Sequence, residues 1–158
     1  MDQIRFGHSD DGFAIAQTAG AVFNPLIDVT ICRVRDGVRL GGVIFNNFTE
    51  ESIMIHSASW APRWVNRDLL FVTFDYPFNQ LGVNRIFGMV PEDNSLARRF
   101  NTNLGFRYVA RVEGVYKGNI ACLVMCMERA DCRHLLVKPL RMKPNYTGKS
   151  DGWQKQSA

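Results

Sequence analysis

Two runs of β-branched and apolar residues, 29–35 and 38–45, lie on either side of the dipeptide Asp36-Gly37. Such runs are typical of strands, and Asp-Gly favours the two-residue turn whose twist matches that of paired strands. The pattern therefore predicts a β-hairpin early in the chain. Further strands are predicted over 52–60, 85–90, 106–115 and 120–127, the last two joined by Lys117-Gly118-Asn119.

Apolar residues at helical spacing predict two helices in the first half of the chain. The first covers 11–23 and stops before Pro25. The second begins near Arg67 and ends near Tyr76, because Pro77 lacks the N–H that a continuing helix needs. Its apolar stripe is formed by residues that recur every four positions, Leu70, Phe74 and Phe78.

A third helix is predicted from its two ends. Asp93 or Asn94 suits the N-cap, and Gly105 suits the left-handed residue that closes a helix. Its predicted core positions are Leu96, Ala97, Phe100 and Leu104. The predicted order is helix, hairpin, strand, helix, strand, helix, hairpin, which implies an α/β fold whose mixed sheet is covered by helices on both faces. Several folds share this order.

The length and composition fit one globular domain. The 158 residues are 46% hydrophobic and 22% charged, which is enough to bury a substantial core. No apolar run reaches the roughly 20 residues that span a bilayer, and the first residues lack the order of a signal peptide, so we expect a cytoplasmic protein. The cysteines show no paired spacing, so we expect reduced thiols and no metal site. They are Cys32, Cys122, Cys126 and Cys132.

The positive charge is concentrated at the C-terminal end. The formal net charge is +4, and residues 138–158 hold five basic side chains against one acidic side chain, so the rest of the chain is neutral. A basic tail on a neutral domain is usually a solvated end, which does not favour nucleic acid as a partner. Prolines and glycines interrupt the same stretch. We therefore predict one domain over 1–137 and a basic tail over 138–158 that is extended or partly disordered.

One segment resembles the GNAT N-acetyltransferases. It covers 90–106 and reads VPEDNSLARRFNTNLGF. The shared features are an asparagine, an alanine three residues later, and Leu-Gly-Phe at the end of the helix, and the resemblance extends over about 6–129. It implies a GNAT-like, mainly antiparallel twisted sheet with helices on both faces, acetyl-CoA as co-substrate, and transfer of an acetyl group to an amine by direct attack.

The resemblance also implies where the coenzyme binds. The phosphate-binding loop of the superfamily aligns with 61–66, which lacks both expected glycines but leads into a helix N-terminus that can bind an anion. Two arginines add positive charge there, and Trp64 either fills the core or stacks near the adenine. The implied coenzyme contacts are Ala58, Ser59, Trp60, Arg63, Trp64, Val65, Asn66, Arg67, Asn94 and Ala97.

His56 is the candidate catalytic base. Imidazole titrates near pH 6.5, and His56 lies toward the end of the strand where relatives often place a base. Strand alternation places it on the face of Met54 and Ala58, so a core histidine is the alternative interpretation. Many relatives carry a tyrosine that protonates the departing thiolate, and the corresponding position here is Asn101, which is not an acid.

The resemblance leaves the acceptor open. Acceptor sites in this superfamily are built from variable loops and often from a second subunit, so the amine can belong to a small molecule or a protein, and a homodimer is one arrangement it allows. A second hypothesis is a GNAT-like fold that has lost catalysis and serves as a binding or structural module. The altered loop 61–66 and Asn101 favour that alternative.

Overall fold

A computed structural model describes residues 1–140, and the rest of the predicted tail lies outside the described residues. Within residues 1–140 the chain forms seven strands and three α-helices. The strands are β1 (Asp2–Phe6), β2 (Val29–Arg35), β3 (Val38–Asn46), β4 (Ser52–Ser59), β5 (Arg85–Pro91), β6 (Arg107–Tyr116) and β7 (Ile120–Glu128). The helices are α1 (Ser9–Ala19), α2 (Arg67–Asp75) and α3 (Ser95–Leu104), with a π-helical turn at Tyr76–Gln80 and 3-10 turns at Arg129–Asp131 and Arg133–Leu136.

The strands form one mixed sheet in the order β1-β2-β3-β4-β5-β7-β6. Neighbouring strands are antiparallel except β4 and β5, which are parallel. The parallel ladder contains three residue pairs, from Ser52 with Arg85 to Met54 with Phe87, although β4 continues to Ser59. The sheet therefore consists of two antiparallel halves that diverge from each other beyond Met54.

The turns and helix ends follow local sequence. Asp36 and Gly37 both have positive φ, 48° and 80°, as the predicted two-residue hairpin turn requires. Asn94 caps α3 by accepting a hydrogen bond from the N–H of Ala97 at 3.1 Å, and Gly105 ends it in the left-handed conformation. These three predictions are confirmed. The second helix also ends as predicted, since α2 gives way to the π-helical turn at Tyr76.

Helices cover both faces of the sheet. On one face the apolar side chains of α2 pack on the central strands, with α3 beside them, in a cluster that includes Ile31, Phe45, Ile53, Leu69, Val72, Phe74, Ile86 and Met125. On the other face, α1 packs on β2 and β3 in a smaller cluster that includes Ile15, Ala16, Cys32, Val34 and Ile44. The predicted α/β class with helices on both faces is confirmed.

Three expectations from the pattern differ from the structure. The pattern missed β1, because this short strand has two apolar residues and its polar side chains form ion pairs with neighbouring elements. The first helix ends at Ala19 rather than at Phe23, because Gly20 takes the left-handed conformation with φ 68°. Leu96 is not a core residue: α3 turns it outward, and its side chain is 77% exposed.

Three further observations concern strand β6, the cysteines and the length of the helices. Strand β6 is exposed from Arg107 to Val115, and its ladder with β7 is interrupted by register shifts. All four cysteines are free and buried. None of the helices in the described part of the chain has the length and apolar character needed to span a bilayer.

Candidate active site

The divergence of β4 from β5 opens a cavity of about 230 Å³ between the two halves of the sheet. Beyond Met54, the edge of β4 that faces β5 has no strand partner among residues 1–140, and helices α2 and α3 roof the opening. The side chains and backbone of α1, β4, the loop before α2, α2, β5 and α3 all contribute to its wall. They include Thr18, Ala19, Ile55, His56, Ser57, Trp64, Val65, Leu69, Gly88, Met89, Asn94, Ala97, Phe100 and Asn101.

His56 lines this cavity from β4. The side chain is half-buried, and burial lowers the pKa of its imidazole below the ordinary value of a histidine. Its Nε2 lies 3.1 Å from Oδ1 of Asn46, on the neighbouring strand β3. With the Asn46 oxygen as acceptor, Nε2 carries the proton and Nδ1 is the free base. The lowered pKa favours the neutral imidazole, and the contact with Asn46 leaves Nδ1 as the proton acceptor.

The loop between β4 and α2 is held by packing on one side and by hydrogen bonds on the other. Trp64 lies against the backbone of Gly41 on β3 and 5.5 Å from the ring of Phe100 on α3. Arg33, a buried residue of β2, donates from one guanidinium nitrogen to the carbonyl oxygens of Arg63 and Trp64 at 2.9 and 2.8 Å. Arg63 itself has φ 55°, in the left-handed region. The loop thus has one defined conformation without the two glycines.

The start of α2 is also tied down. Asn66 caps the helix by accepting from the N–H of Leu69 at 2.8 Å. Arg67 donates to the carbonyl oxygen of Lys138 at 2.6 Å, and Asp68 accepts from the N–H of Leu140 at the same distance. The beginning of the predicted tail therefore crosses the N-terminal end of α2, beside the loop.

Comparison with known proteins identifies relatives by shape alone. No family model matches the sequence, and no curated protein matches it. Among solved structures, the ribosomal-protein-S5-alanine acetyltransferase of Vibrio fischeri aligns with a TM-score of 0.64 at 16% identity, over 87% of this chain and 96% of its own. The Salmonella typhimurium YncA structure, described with its cofactor acetyl-CoA, aligns with a TM-score of 0.63 at 17% identity, over 80% of this chain and 93% of its own. Mutant forms of the spermidine/spermine N-acetyltransferase SpeG from Vibrio cholerae align with a TM-score of 0.64 at 14% identity, over 82% and 96%.

The chain has the GNAT fold. This finding confirms the resemblance that segment 90–106 carried. The strands β4 and β5 and the helix α2 lie at the positions that were predicted from the sequence, and so does the loop that leads into α2.

The structure brings together five of the eleven residues predicted for the site. His56, Trp64, Val65, Asn94 and Ala97 line the cavity. Asn101, which the sequence resemblance aligned with a proton donor, lines it too. The candidate base, the loop before α2 and the N-terminal end of α3 therefore meet in one place.

The other predicted coenzyme contacts lie around this cavity rather than in its wall. Ala58 is buried under α1, and Ser59 and Arg63 are exposed. Trp60 donates from its indole N–H to the hydroxyl of Thr18 at 3.1 Å. The remaining two, Asn66 and Arg67, line a second cavity on the other side of the loop, together with Asp2 and Arg33.

Sequence reasoning missed much of the wall. Thr18 and Ala19 reach the cavity because α1 crosses the open edge of β4, a tertiary contact that no local pattern reports. Gly88 did have a signal, because a glycine inside a strand often marks a place where another group approaches the backbone. A β-carbon added there would touch Ile55 alone, at 4.0 Å. The strand is therefore open to the cavity at this residue.

Proposed function

We propose that this protein is an acetyl-CoA-dependent N-acetyltransferase that acts on an amine by direct attack. The observation that carries the proposal is the cavity between β4 and β5, where an unpaired strand edge, a neutral imidazole and a loop leading into a helix N-terminus converge. The strand edge can bind the extended coenzyme, the imidazole can accept a proton, and the loop can bind an anion. The relatives in shape include acetyltransferases, and one of them is described with acetyl-CoA.

The residues present fit the coenzyme. The free edge of β4 offers backbone groups to an extended ligand that carries amides, as a further strand would. The loop ahead of α2 offers backbone N–H groups, and Arg63 adds an exposed positive charge beside them. On the opposite wall, Asn94 and Ala97 form the first turn of α3. The coenzyme supplies the activated acetyl group, and the chain supplies its orientation.

His56 would act as the general base. A lysine-like amine is mostly protonated at neutral pH, so using its free-base fraction alone costs roughly 4 to 5 kcal/mol. Nδ1 of His56 takes a proton from the ammonium, and the nitrogen lone pair then forms a bond to the thioester carbonyl carbon. As the C–S bond breaks, its electron pair would leave with sulfur, the new amide nitrogen would give its second proton to water, and the thiolate would take up a proton. Because burial keeps the pKa of His56 low, the imidazole is neutral and ready to accept at pH 7.

Backbone and solvent complete the reaction. The carbonyl oxygen gains negative charge during attack, and a backbone N–H of the 57–59 region of β4, on its unpaired edge, would stabilise it. Asn101 lines the cavity but cannot donate a proton as an acid. Water is therefore the proton source for the thiolate in this proposal.

The acceptor would be an amine of a small molecule or a protein. Relatives in shape are named for ribosomal-protein alanine and for spermidine or spermine. A panel that contains alanyl peptides, polyamines and free amino acids is the natural first screen, with thiol release as the signal. Gel filtration coupled to light scattering tests whether a homodimer forms.

A binding module without catalysis is the second candidate. Trp64 favours the module, because its ring packs on Gly41 and Phe100 and so occupies space beside the loop ahead of α2. The two candidates differ in what they predict for acetyl-CoA. A module that has lost the coenzyme shows no binding, whereas the enzyme binds it with or without an acceptor.

The first experiment is a thermal-shift titration with acetyl-CoA and CoA. Ligand at about 100 times its dissociation constant stabilises the folded state by about 2.7 kcal/mol. We expect a clear rise in Tm, and a smaller rise in the Arg63→Ala, Arg67→Ala double variant. Absence of any shift at millimolar acetyl-CoA would contradict the enzyme and support the module. A full shift in the double variant would mean that neither arginine contacts the phosphates.

The second experiment tests His56. His56→Gln should leave folding and coenzyme binding nearly unchanged and lower turnover by about 10²- to 10⁴-fold. The loss should shrink as pH rises, because more of the acceptor is then the free amine. His8→Gln is the matched control, since His8 is exposed and does not line the cavity. A His56 variant that is destabilised but normally active per folded molecule would end the catalytic role.

A further inference from the structure

A buried arginine lies beneath the loop that replaces the glycine-containing phosphate loop. Arg33 is 5% exposed and projects from β2 toward the loop. Its guanidinium forms an ion pair with the carboxylate of Asp2 on β1, with Nη2 2.6 Å and Nε 3.0 Å from the two oxygens. The third nitrogen, Nη1, donates to the carbonyl oxygens of Arg63 and Trp64. The planar fork therefore links two strands of the sheet to the backbone of the loop.

The direction of those two carbonyls fixes the direction of two N–H groups. In a trans peptide the C=O and the N–H of the next residue point to opposite sides, and no cis peptide bond occurs in residues 1–140. The carbonyls of Arg63 and Trp64 point at Arg33, so the N–H groups of Trp64 and Val65 point away from it. Within the described residues, neither N–H makes a hydrogen bond to the protein. Both residues line the cavity.

We propose that Arg33 is a positioning residue for the coenzyme pyrophosphate: it holds the two carbonyls inward so that the N–H groups of Trp64 and Val65 face the phosphates. Two successive N–H groups turned to one side form a concave anion site. In this way the Arg33 side chain stabilises the loop conformation that glycines allow in the usual phosphate loop. Within that conformation Arg63 has a left-handed φ of 55°. The inference rests on the proposed function, because it concerns the same coenzyme.

The test separates the phosphates from the rest of the coenzyme. Acetyl-CoA and S-acetyl-pantetheine share the thioester arm, but the second ligand lacks the pyrophosphate. The variant is Arg33→Met combined with Asp2→Asn, which avoids leaving the half-buried Asp2 carboxylate without its ion pair to Arg33. We expect its Kd for acetyl-CoA, measured by calorimetry, to rise about 10- to 100-fold, because hydrogen bonds to a charged ligand are lost. The Kd for S-acetyl-pantetheine, measured by NMR titration, should change less than about threefold.

Arg35→Met is the matched control. Arg35 lies on the same strand and contacts the same Asp2 carboxylate at 3.2 Å, but it makes no hydrogen bond to the loop. Both ligands should bind this variant as they bind the wild type. Arg33→Lys is the second test variant, because it keeps a charge beside Asp2 while a single ammonium cannot reproduce the fork. Arg33→Lys replaces the double variant in the experiment if the double variant does not fold. We expect it to show the same selective loss of affinity for acetyl-CoA.

The possible results have distinct meanings. Equal losses for both ligands, or unchanged acetyl-CoA binding in a folded Arg33 variant, would overturn the positioning role and leave the proposed function standing. A wild-type protein that binds neither ligand would overturn the proposed function together with this inference. Turnover gives an independent check, because a positioning role raises the KM for acetyl-CoA and leaves kcat at saturation nearly unchanged.

Discussion

Gly41 on β3 and Gly88 on β5 give a matched pair of glycine substitutions. A β-carbon on Gly41 would lie 2.8 Å or closer to three carbons of the Trp64 ring. A β-carbon on Gly88 would meet one atom of Ile55, at 4.0 Å, which is ordinary contact. Neither glycine has a positive φ, so alanine fits the backbone at both positions. We therefore expect Gly41→Ala to destabilise the protein relative to Gly88→Ala.

The expected difference in unfolding free energy between the two variants combines an effect on the unfolded chain with an effect on packing. Replacing glycine by alanine restricts the unfolded chain and favours folding by about 0.4 to 1 kcal/mol at either site. Overpacking opposes this at Gly41 alone, by about 1 to 3 kcal/mol. The variants should therefore differ by about 1 to 3 kcal/mol in the free energy of unfolding. For a chain of this length that corresponds to about 2 to 12 °C in Tm.

Chemical denaturation of the two single variants measures the difference, and a double-mutant cycle identifies its cause. In a Trp64→Ala background the ring is gone, so Gly41→Ala should then cost no more than Gly88→Ala does. If the penalty at Gly41 is unchanged without Trp64, the strain comes from elsewhere and the packing argument fails. If Gly41→Ala is as stable as Gly88→Ala in the wild-type background, the ring does not lie against this strand.

Three further predictions concern other parts of the protein. Burial lowers the pKa of both His56 and His134, so the unfolded chain binds more protons than the folded one below about pH 6.5, and the free energy of unfolding should fall from pH 7 toward pH 5. Urea melts at several pH values across this range measure that free energy. Its dependence on pH should be weaker in His134→Gln than in the wild type, and an unchanged dependence would refute the linkage. Asn94→Ala should cost about 1 kcal/mol in unfolding free energy through loss of the helix cap, whereas Ser95→Ala, at an exposed neighbour, should change it little. Truncation after Val137 removes two hydrogen bonds to charged side chains of α2, so it should lower stability by about 3 kcal/mol, the low end for two such bonds because Arg67 is exposed, and leave a folded domain; an insoluble product would contradict this.

Local chemistry made parts of the fold predictable. The Asp36-Gly37 turn, the Asn94 cap and the Gly105 stop each depend on residues within a few positions of one another. The pattern could therefore locate the hairpin and α3, and the motif in α3 indicated the fold. Leu96 shows the limit of the same reasoning, because an apolar residue in an amphipathic helix can still face solvent.

The site depends on contacts between residues far apart in the chain. The hydrogen bonds from Arg33 to the loop cross about thirty positions, and the roof over the loop comes from α3. Residue types alone gave no reason to connect Asp2, Arg33 and the loop. His56 could be proposed as the base because both its strand and its residue type were predictable from the sequence. Its partner Asn46 could not, because Asn46 lies on another strand, two residues beyond Ile44, which pairs directly with His56.

The three-residue ladder between β4 and β5 also has a consequence for how the protein folds and opens. Each antiparallel half of the sheet comes from one continuous stretch of chain, residues 2–59 and 85–128, so the first half can assemble during synthesis before the second has been made. Native-state hydrogen exchange should then reveal two cooperative units, with their common boundary at this ladder. Opening at that boundary breaks three residue pairs of the ladder and also separates apolar side chains of the α2 cluster, to which both halves contribute. Such an opening is still a smaller event than global unfolding, because each antiparallel half keeps its own ladders.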